Sequence, residues 1–189
     1  MKRGYIFLIL LAFILTFVPS SAYAKTLAEV EFPDSVTVAG TELVLNGMGI
    51  RKATIFGIKV YVGGLYLEAR ENNAENILSS KARKQIVMHF VREVGREKIT
   101  SGWDEGIENN SAAYTNLTTQ ISEFNGMMED LGEGDEIVLT WSGDSVEVKI
   151  KNQLKGKISD AVFSKALLSV WLGANPPNAE LKRGLLGLD

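Results

Sequence analysis

The chain has 189 residues, among them 20 lysines and arginines, 23 aspartates and glutamates, one histidine and no cysteine. The net charge of −3 is slightly acidic, so nothing in the composition points to nucleic acid as a partner. The lack of cysteine excludes disulfides, cysteine metal sites and thiol nucleophiles, and the fold must therefore depend on its hydrophobic core.

The N-terminus has the features of a secretory signal peptide. A short basic start precedes an almost unbroken apolar run over residues 5–18, and Ala22 and Ala24 supply the small residues that a cleavage site needs. The run is shorter than the roughly 20 residues of a membrane-spanning helix. We therefore expect a signal peptide over residues 1–24, periplasmic localisation, no stable membrane anchor after cleavage, and one mature domain over residues 25–189.

The remaining elements alternate between strands and helices. The patterns predict a small hairpin over 36–46, a second hairpin over 46–68, a loop with one helical turn over 71–80, a central strand over 84–92, two helices over 96–109 and 117–128, three short strands over 136–157, and two helices that begin near Ser159 and Pro176. This order is typical of an α+β architecture, in which one antiparallel sheet carries helices on one face. We expect any ligand site to lie between these two layers.

The hairpin over residues 46–68 is the most strand-like part of the mature chain, and it contains a charged residue. Arg51 interrupts an apolar run, and a turn at Gly57 would place it across from the region of Tyr61. Cross-strand neighbours lie about 5 Å apart, so the two side chains would be close together.

Arginine and tyrosine in this arrangement have a definite chemistry. A guanidinium offers a fork of donors that suits a carboxylate or an enolate, and a tyrosine hydroxyl adds a second donor. Binding an acid needs only these donors and an apolar space, whereas isomerisation also needs a positioned proton source or sink. In the alternative interpretation, Arg51 reaches solvent from a sheet edge and Tyr61 packs in the core.

Other chemistry is poorly supported. The single histidine, His89, has no second histidine at metal-ligand spacing and no serine in a nucleophile elbow, so we interpret it as structural. Asp104 and Glu105 are adjacent on a predicted helix and point in different directions, which indicates surface acids. No nucleotide-binding motif occurs. The sequence predicts neither a metal nor a cofactor.

Residues 47–51 and 57–68 resemble the signature of the chalcone isomerase fold family, in particular its bacterial exported members. The resemblance continues at intervals through residues 107–110, 132–141 and 161–173. It implies an open-faced β-sandwich, in which a large antiparallel sheet is covered by helices on one face and a ligand cleft lies between the two layers.

The resemblance also implies cleft roles for individual residues. Arg51 matches the cleft arginine of the family, and Tyr61 stands where the plant enzymes have a threonine, as in the fatty-acid-binding branch, where arginine and tyrosine hold a carboxylate. Asn109 and Ser164 resemble the cleft asparagine and the cleft serine or threonine. The catalytic tyrosine of the plant enzymes falls near residues 102–103, where this chain has none, which argues against chalcone cyclisation.

The resulting hypothesis is a non-catalytic, exported protein that binds a small amphipathic anion such as a fatty acid through Arg51 and Tyr61. Phe124, Met127 and Met128 are candidates to line its apolar part. The predicted partner is thus a small hydrophobic acid and not a nucleic acid.

Three alternatives stay open. A porphyrin, with carboxylates and a large apolar body, would satisfy the same chemistry, with His89 as an axial ligand. An isomerase or intramolecular lyase acting on an enone-like substrate would use Arg51 to stabilise oxyanion charge and Tyr61 as an acid. A structural role in the cell envelope would leave the cleft vestigial.

Overall fold

The computed structural model describes residues 24–53 and 56–188, so the predicted signal peptide lies outside the described residues apart from Ala24. The strands are β1 (Ala24–Leu27), β2 (Val30–Pro33), β3 (Ser35–Val38), β4 (Thr41–Ala53), β5 (Ile58–Leu67), β6 (Lys84–Phe90), β7 (Glu136–Ser142), β8 (Ser145–Ile150) and β9 (Gln153–Ser159). The helices are α1 (Ala74–Ser79), α2 (Arg96–Asn110), α3 (Thr118–Gly126), α4 (Ala161–Leu172) and α5 (Ala179–Leu185), and a 3-10 turn spans Tyr114–Asn116. No helix within the described ranges has the length and apolar character needed to cross a membrane.

The architecture is the predicted α+β fold. Strands β3 to β9 form one antiparallel sheet in chain order, and one of its faces, the helix face, packs against the helices in the larger of two hydrophobic clusters. The sequence analysis did not predict the β1–β2 hairpin, which covers part of the opposite, outer face. Phe32 lies over Gly64 there, where a Cβ would come within 2.7 Å of the phenylalanine ring.

The two hairpins expected near the start of the chain share one strand. Residues 41–53 form β4 without interruption, and a register irregularity between Leu45 and Gly47 takes the place of a turn. Such a bulge rotates the strand, so Leu45 packs on the outer face while Gly47 faces α5. The helix approaches closely, because a Cβ at Gly47 would lie 2.1 Å from the carbonyl oxygen of Gly184.

Helix α4 forms the buried centre of the helical layer. The Asp160 carboxylate caps its first turn by accepting a hydrogen bond from the N–H of Phe163 at 2.8 Å. Near its other end it packs tightly on α2, because a Cβ at Gly106 would lie 2.7 Å from the Val170 side chain. These two helices meet the sheet where β4 and β5 approach their turn, and this is where the cavity lies.

Candidate functional site

A cavity of about 500 Å³ opens between the β4–β5 end of the sheet and helices α2 and α4. Its apolar wall includes Val60, Phe90, Val94, Ile99, Trp103 and Val170. Exposed polar side chains surround its mouth: Arg92, Glu93, Lys98, Glu105, Asn109 and Asn175. An apolar interior with a few placed polar groups is typical of small-molecule sites.

Arg51 and Tyr61 are directly opposite each other on β4 and β5, and both line the cavity. This register confirms the predicted cross-strand pair. Tyr61 is 7% exposed, as a core residue would be, and Arg51 is half-buried. The pair therefore lies on the helix face, at the border between the apolar interior and the charged mouth.

The hydroxyl of Tyr61 is held by Trp171 of α4. The indole Nε1–H donates to the hydroxyl oxygen at 2.9 Å. Burial raises the pKa of Tyr61 to about 12, although the hydrogen bond from Trp171 and the charge of Arg51 both oppose the rise. The phenol is therefore protonated at neutral pH. No described residue accepts its hydrogen, which leaves the hydroxyl able to donate to a ligand.

Arg51 is held at one end and open at the other. Its Nη1 donates to Oδ1 of Asn178 at 3.2 Å and to the carbonyl oxygen of Lys52. The same Asn178 oxygen accepts from the backbone N–H of Lys52 at 2.9 Å. Within the described ranges, Arg51 forms no ion pair. Its positive charge and its other N–H groups are therefore available to an anion.

The loop between α4 and α5 closes one side of the cavity. The side chain of Asn175 donates to the carbonyl oxygen of Asn109 at 2.8 Å, and its backbone N–H donates to Oδ1 of Asn110 at 2.8 Å. A pair of prolines follows and also lines the cavity. Because Asn178 then binds β4, the loop connects α2 to β4 across the cavity.

The side of α2 that faces the cavity has no side chain at its centre. Gly102 lies in the middle of the helical face formed by Lys98, Ile99, Trp103, Glu105, Gly106 and Asn109. A Cβ at Gly102 would have no atom within 4 Å. The missing side chain at this position therefore leaves room for the cavity.

The structure brings three of the four predicted site residues together. Asn109 lies at the mouth with Arg51 and Tyr61. Ser164 lies outside the cavity lining, near the first turn of α4, where it is buried and its hydroxyl donates to the carbonyl oxygen of Asp144 at 3.1 Å. The binding site described below therefore does not include Ser164.

The expectation for the apolar lining is wrong, and the single histidine lies outside the cavity lining. Phe124 and Met128 are buried in the main core, Met127 packs against β9, and none of these side chains lines the cavity. His89 pairs with Val62 of the outer-face cluster, and its Nδ1 lies 3.1 Å from Oε1 of Glu136. It is therefore not placed to ligate a porphyrin in this cavity.

Two residues that complete the site were missed by the sequence analysis. The sequence analysis singled out neither Trp171 of α4 nor Asn178, which precedes α5. A buried indole needs an acceptor for its N–H, and an asparagine after two prolines marks a helix start. Neither signal identifies the partners, which lie 110 residues from Trp171 and 127 residues from Asn178.

Comparison with known proteins agrees with this architecture. The crystal structure of a fatty-acid binding protein from Arabidopsis thaliana matches with a TM-score of 0.68 over 87% of this chain and 96% of that one, at 16% sequence identity. At that identity the similarity establishes the fold alone. No curated protein is similar enough in sequence to count as a match. A family model described as chalcone isomerase-like matches residues 24–187. This match spans nearly all of the described residues, and the chain therefore belongs to the chalcone isomerase-like family.

Proposed function

We propose that this protein is a non-catalytic binding protein that holds a small amphipathic acid, such as a fatty acid, in the cavity between sheet and helices. We further propose that it is a bacterial, exported member of its family that works in the periplasm. The basic start, the apolar run and the small residues before residue 25 support export.

The pairing of Arg51 with Tyr61 carries the proposal. The guanidinium has unused N–H donors and no ion-pair partner among the described residues, and the neutral phenol beside it has a free hydrogen. A carboxylate can accept hydrogen bonds from both groups, and its charge compensates that of Arg51. The apolar wall is then free to contact an alkyl tail. The fatty-acid binding protein that shares the fold supports this ligand class.

Direct binding tests the role of Arg51. Palmitic acid and its methyl ester have the same tail, but only the acid carries a charge. We expect Arg51→Ala to weaken palmitate binding by about tenfold to a hundredfold, because hydrogen bonds to charged groups contribute about 1.5–3 kcal/mol. Arg92→Ala is the matched control, because Arg92 is exposed at the same mouth. We expect that variant to change affinity by no more than about threefold.

The methyl ester separates head-group recognition from tail burial. It should bind more weakly than the acid to the wild type, and equally well to the wild type and to Arg51→Ala. Equal losses for both ligands in Arg51→Ala would mean that Arg51 does not recognise the carboxylate. Native mass spectrometry of protein purified from its own periplasm then identifies the bound molecule, which should be absent from Arg51→Ala.

Catalysis is tested separately by incubation with a chalcone. Isomerisation requires a proton acceptor as well as a donor, and the carboxylates that line this cavity, Glu93 and Glu105, are exposed at its mouth. We expect no turnover above the rate in buffer. Turnover by the wild type that is lost in Arg51→Ala would overturn the non-catalytic proposal.

A further inference from the structure

The turn between β4 and β5 presents apolar side chains to solvent. Phe56 is 83% exposed and Ile58 is 40% exposed. Single exposed apolar residues are common on protein surfaces. These two, together with Gly57, form what we call the hairpin tip, and the tip lies at the end of the same two strands that carry Arg51 and Tyr61.

The hairpin tip is continuous with the cavity. Ile58 belongs to the tip and also lines the cavity, as do Ala53 before the tip and Val60 after it. Ile58 therefore connects the apolar surface of the tip to the cavity wall. A molecule with an alkyl tail could move along this path without exposing the whole tail to water.

Positive charge surrounds the hairpin tip and the mouth, although the chain as a whole is acidic. The cations on these strands and at the mouth are Arg51, Lys52, Lys59, Arg92 and Lys98, and the carboxylates are Glu93, Glu105 and Glu180, which pairs with Lys52 at 2.6 Å. Exposed apolar side chains bordered by lysine and arginine are typical of protein segments that lie at the surface of an anionic membrane.

We propose that the hairpin tip docks on the surface of an anionic lipid bilayer and inserts Phe56 and Ile58 into its interfacial region. In this orientation the cavity mouth faces the lipid. The benefit of such docking rests on the proposed function, since a fatty acid would pass between bilayer and cavity. The docking itself requires no bound ligand and is measured without one.

A tryptophan at position 56 reports the contact directly. The three native tryptophans are at most 6% exposed, so a fourth in Phe56→Trp is the exposed indole. We expect its emission to shift to the blue when vesicles of phosphatidylcholine with phosphatidylglycerol are added, and to change little with phosphatidylcholine alone. Val162→Trp is the matched control, because Val162 is 53% exposed on the first turn of α4, away from the cavity. An equal shift in both variants, or none in Phe56→Trp, would overturn the proposal.

Sedimentation with the same vesicles measures the strength of docking. We expect Phe56→Ser with Ile58→Ser to reduce binding by about tenfold, because burial of each apolar side chain contributes to interfacial affinity. Val162→Ser should bind like the wild type, and high salt should weaken the binding of all three. Every protein is expressed from the full chain, so any contribution of residues 5–18 is common to the set.

Two results would contradict the docking proposal while leaving fatty-acid binding intact. One is unchanged sedimentation of the double variant. The other is a change in its oligomeric state by light scattering without loss of vesicle binding, which would assign the hairpin tip to contact between copies of this chain. If Phe56→Ser alone, which leaves every residue of the cavity lining in place, keeps its palmitate affinity in solution but binds vesicles more weakly, docking and ligand recognition are separate functions of the β4–β5 hairpin.

Discussion

Trp171 donates a hydrogen bond to the hydroxyl oxygen of Tyr61 at 2.9 Å, and this contact fixes the orientation of the phenol at the cavity wall. The two residues come from opposite layers of the fold, α4 and β5. Because the indole can only donate, the phenol must act as the acceptor in this bond. The hydroxyl hydrogen is thus not used in this bond, and the positive charge of Arg51 acts on the same group.

Replacement of each tryptophan by phenylalanine tests this relationship. Trp171→Phe and Trp141→Phe both remove a satisfied buried hydrogen bond, the latter to the carbonyl oxygen of Ser164 at 2.9 Å. We expect each to lower the free energy of unfolding in urea by about 1–3 kcal/mol. Trp171→Phe alone should also weaken palmitate binding, by about threefold to tenfold, because it releases Tyr61. Equal affinities in the two variants would show that the Trp171 bond does not organise the site.

Trp103→Phe completes the comparison of stability. The Nε1 atom of Trp103 is buried without a hydrogen-bond partner among the described residues. Its removal deletes an unsatisfied donor, so we expect the unfolding free energy to fall by about 1 kcal/mol less than in Trp171→Phe. A larger loss for Trp103→Phe than for Trp171→Phe would contradict this assignment of the bonds.

Asn178 is a positioning residue for Arg51. Asn178→Ala removes the acceptor for both Arg51 and the backbone of Lys52, and we expect it to lose about 1 kcal/mol of stability and about tenfold in palmitate affinity. Asn178→Asp keeps an acceptor oxygen but adds a negative charge that competes with the ligand for Arg51. We expect it to lose similar affinity while the unfolding free energy stays within about 1 kcal/mol of the wild type.

The role of Asn178 is tested by comparing the affinities of each variant for palmitate and for its methyl ester. A purely structural role would affect palmitate and its methyl ester equally in both variants. If Asn178 acts through Arg51, Asn178→Asp should lower the affinity for palmitate and leave the affinity for the methyl ester unchanged. An equal loss of affinity for both ligands in Asn178→Asp would therefore count against the positioning role.

Tyr61 should make stability depend on alkaline pH. Its pKa is raised from 10.0 to about 12 in the folded state, chiefly by burial. Between these values the unfolded chain has lost the phenol proton while the folded chain retains it, so stability falls as pH rises through this window. Across this window the titration of Tyr61 lowers the free energy of unfolding by about 3 kcal/mol.

Tyr61→Phe removes this dependence. Other groups, among them Tyr66 with its own raised pKa, titrate in both proteins and cancel in the difference. We therefore expect the free energy of unfolding, measured in urea, to fall less in the variant than in the wild type between about pH 10 and pH 12. If the free energy of unfolding fell equally in the two proteins over this pH range, Tyr61 would have its ordinary pKa in the folded state.

The sequence was sufficient to predict how Arg51 and Tyr61 pair, because a turn at Gly57 and the alternation of strand residues determine both register and face. It did not predict which side of α2 would border the cavity. Helical periodicity places Phe124, Met127 and Met128 on an apolar face, but it does not distinguish packing against other side chains from lining an open space.

Contacts between distant segments were also inaccessible to pattern analysis. Ser164 and Trp171 lie on the same helix, α4, yet only the second reaches Tyr61, because α4 runs across the layer and Ser164 is near its opposite end. The closure of the cavity by the loop before α5 depends on hydrogen bonds that Asn175 donates to α2 and that Asn178 accepts from β4. No local sequence pattern encodes such partners.

Gly102 should determine how much of the cavity is available to a ligand. It lies at the centre of the α2 face that borders the cavity, and an added Cβ would meet no atom within 4 Å. Gly102→Ala should therefore fold without strain and raise the unfolding free energy by up to about 1 kcal/mol, because alanine favours the helix. Gly102→Leu is expected to keep most of this stability while its side chain occupies the cavity.

Calorimetric titration with fatty acids of increasing length checks this expectation. Gly102→Leu should lose about tenfold in affinity for palmitate and much less for a short-chain acid, because the head group can still reach Arg51 while the space for the tail is reduced. Gly102→Ala, with a single added carbon, should stay within about threefold of the wild type for both acids. If Gly102→Leu bound palmitate as well as the wild type does, the alkyl tail would have to lie outside this part of the cavity, and the ligand orientation proposed here would be wrong.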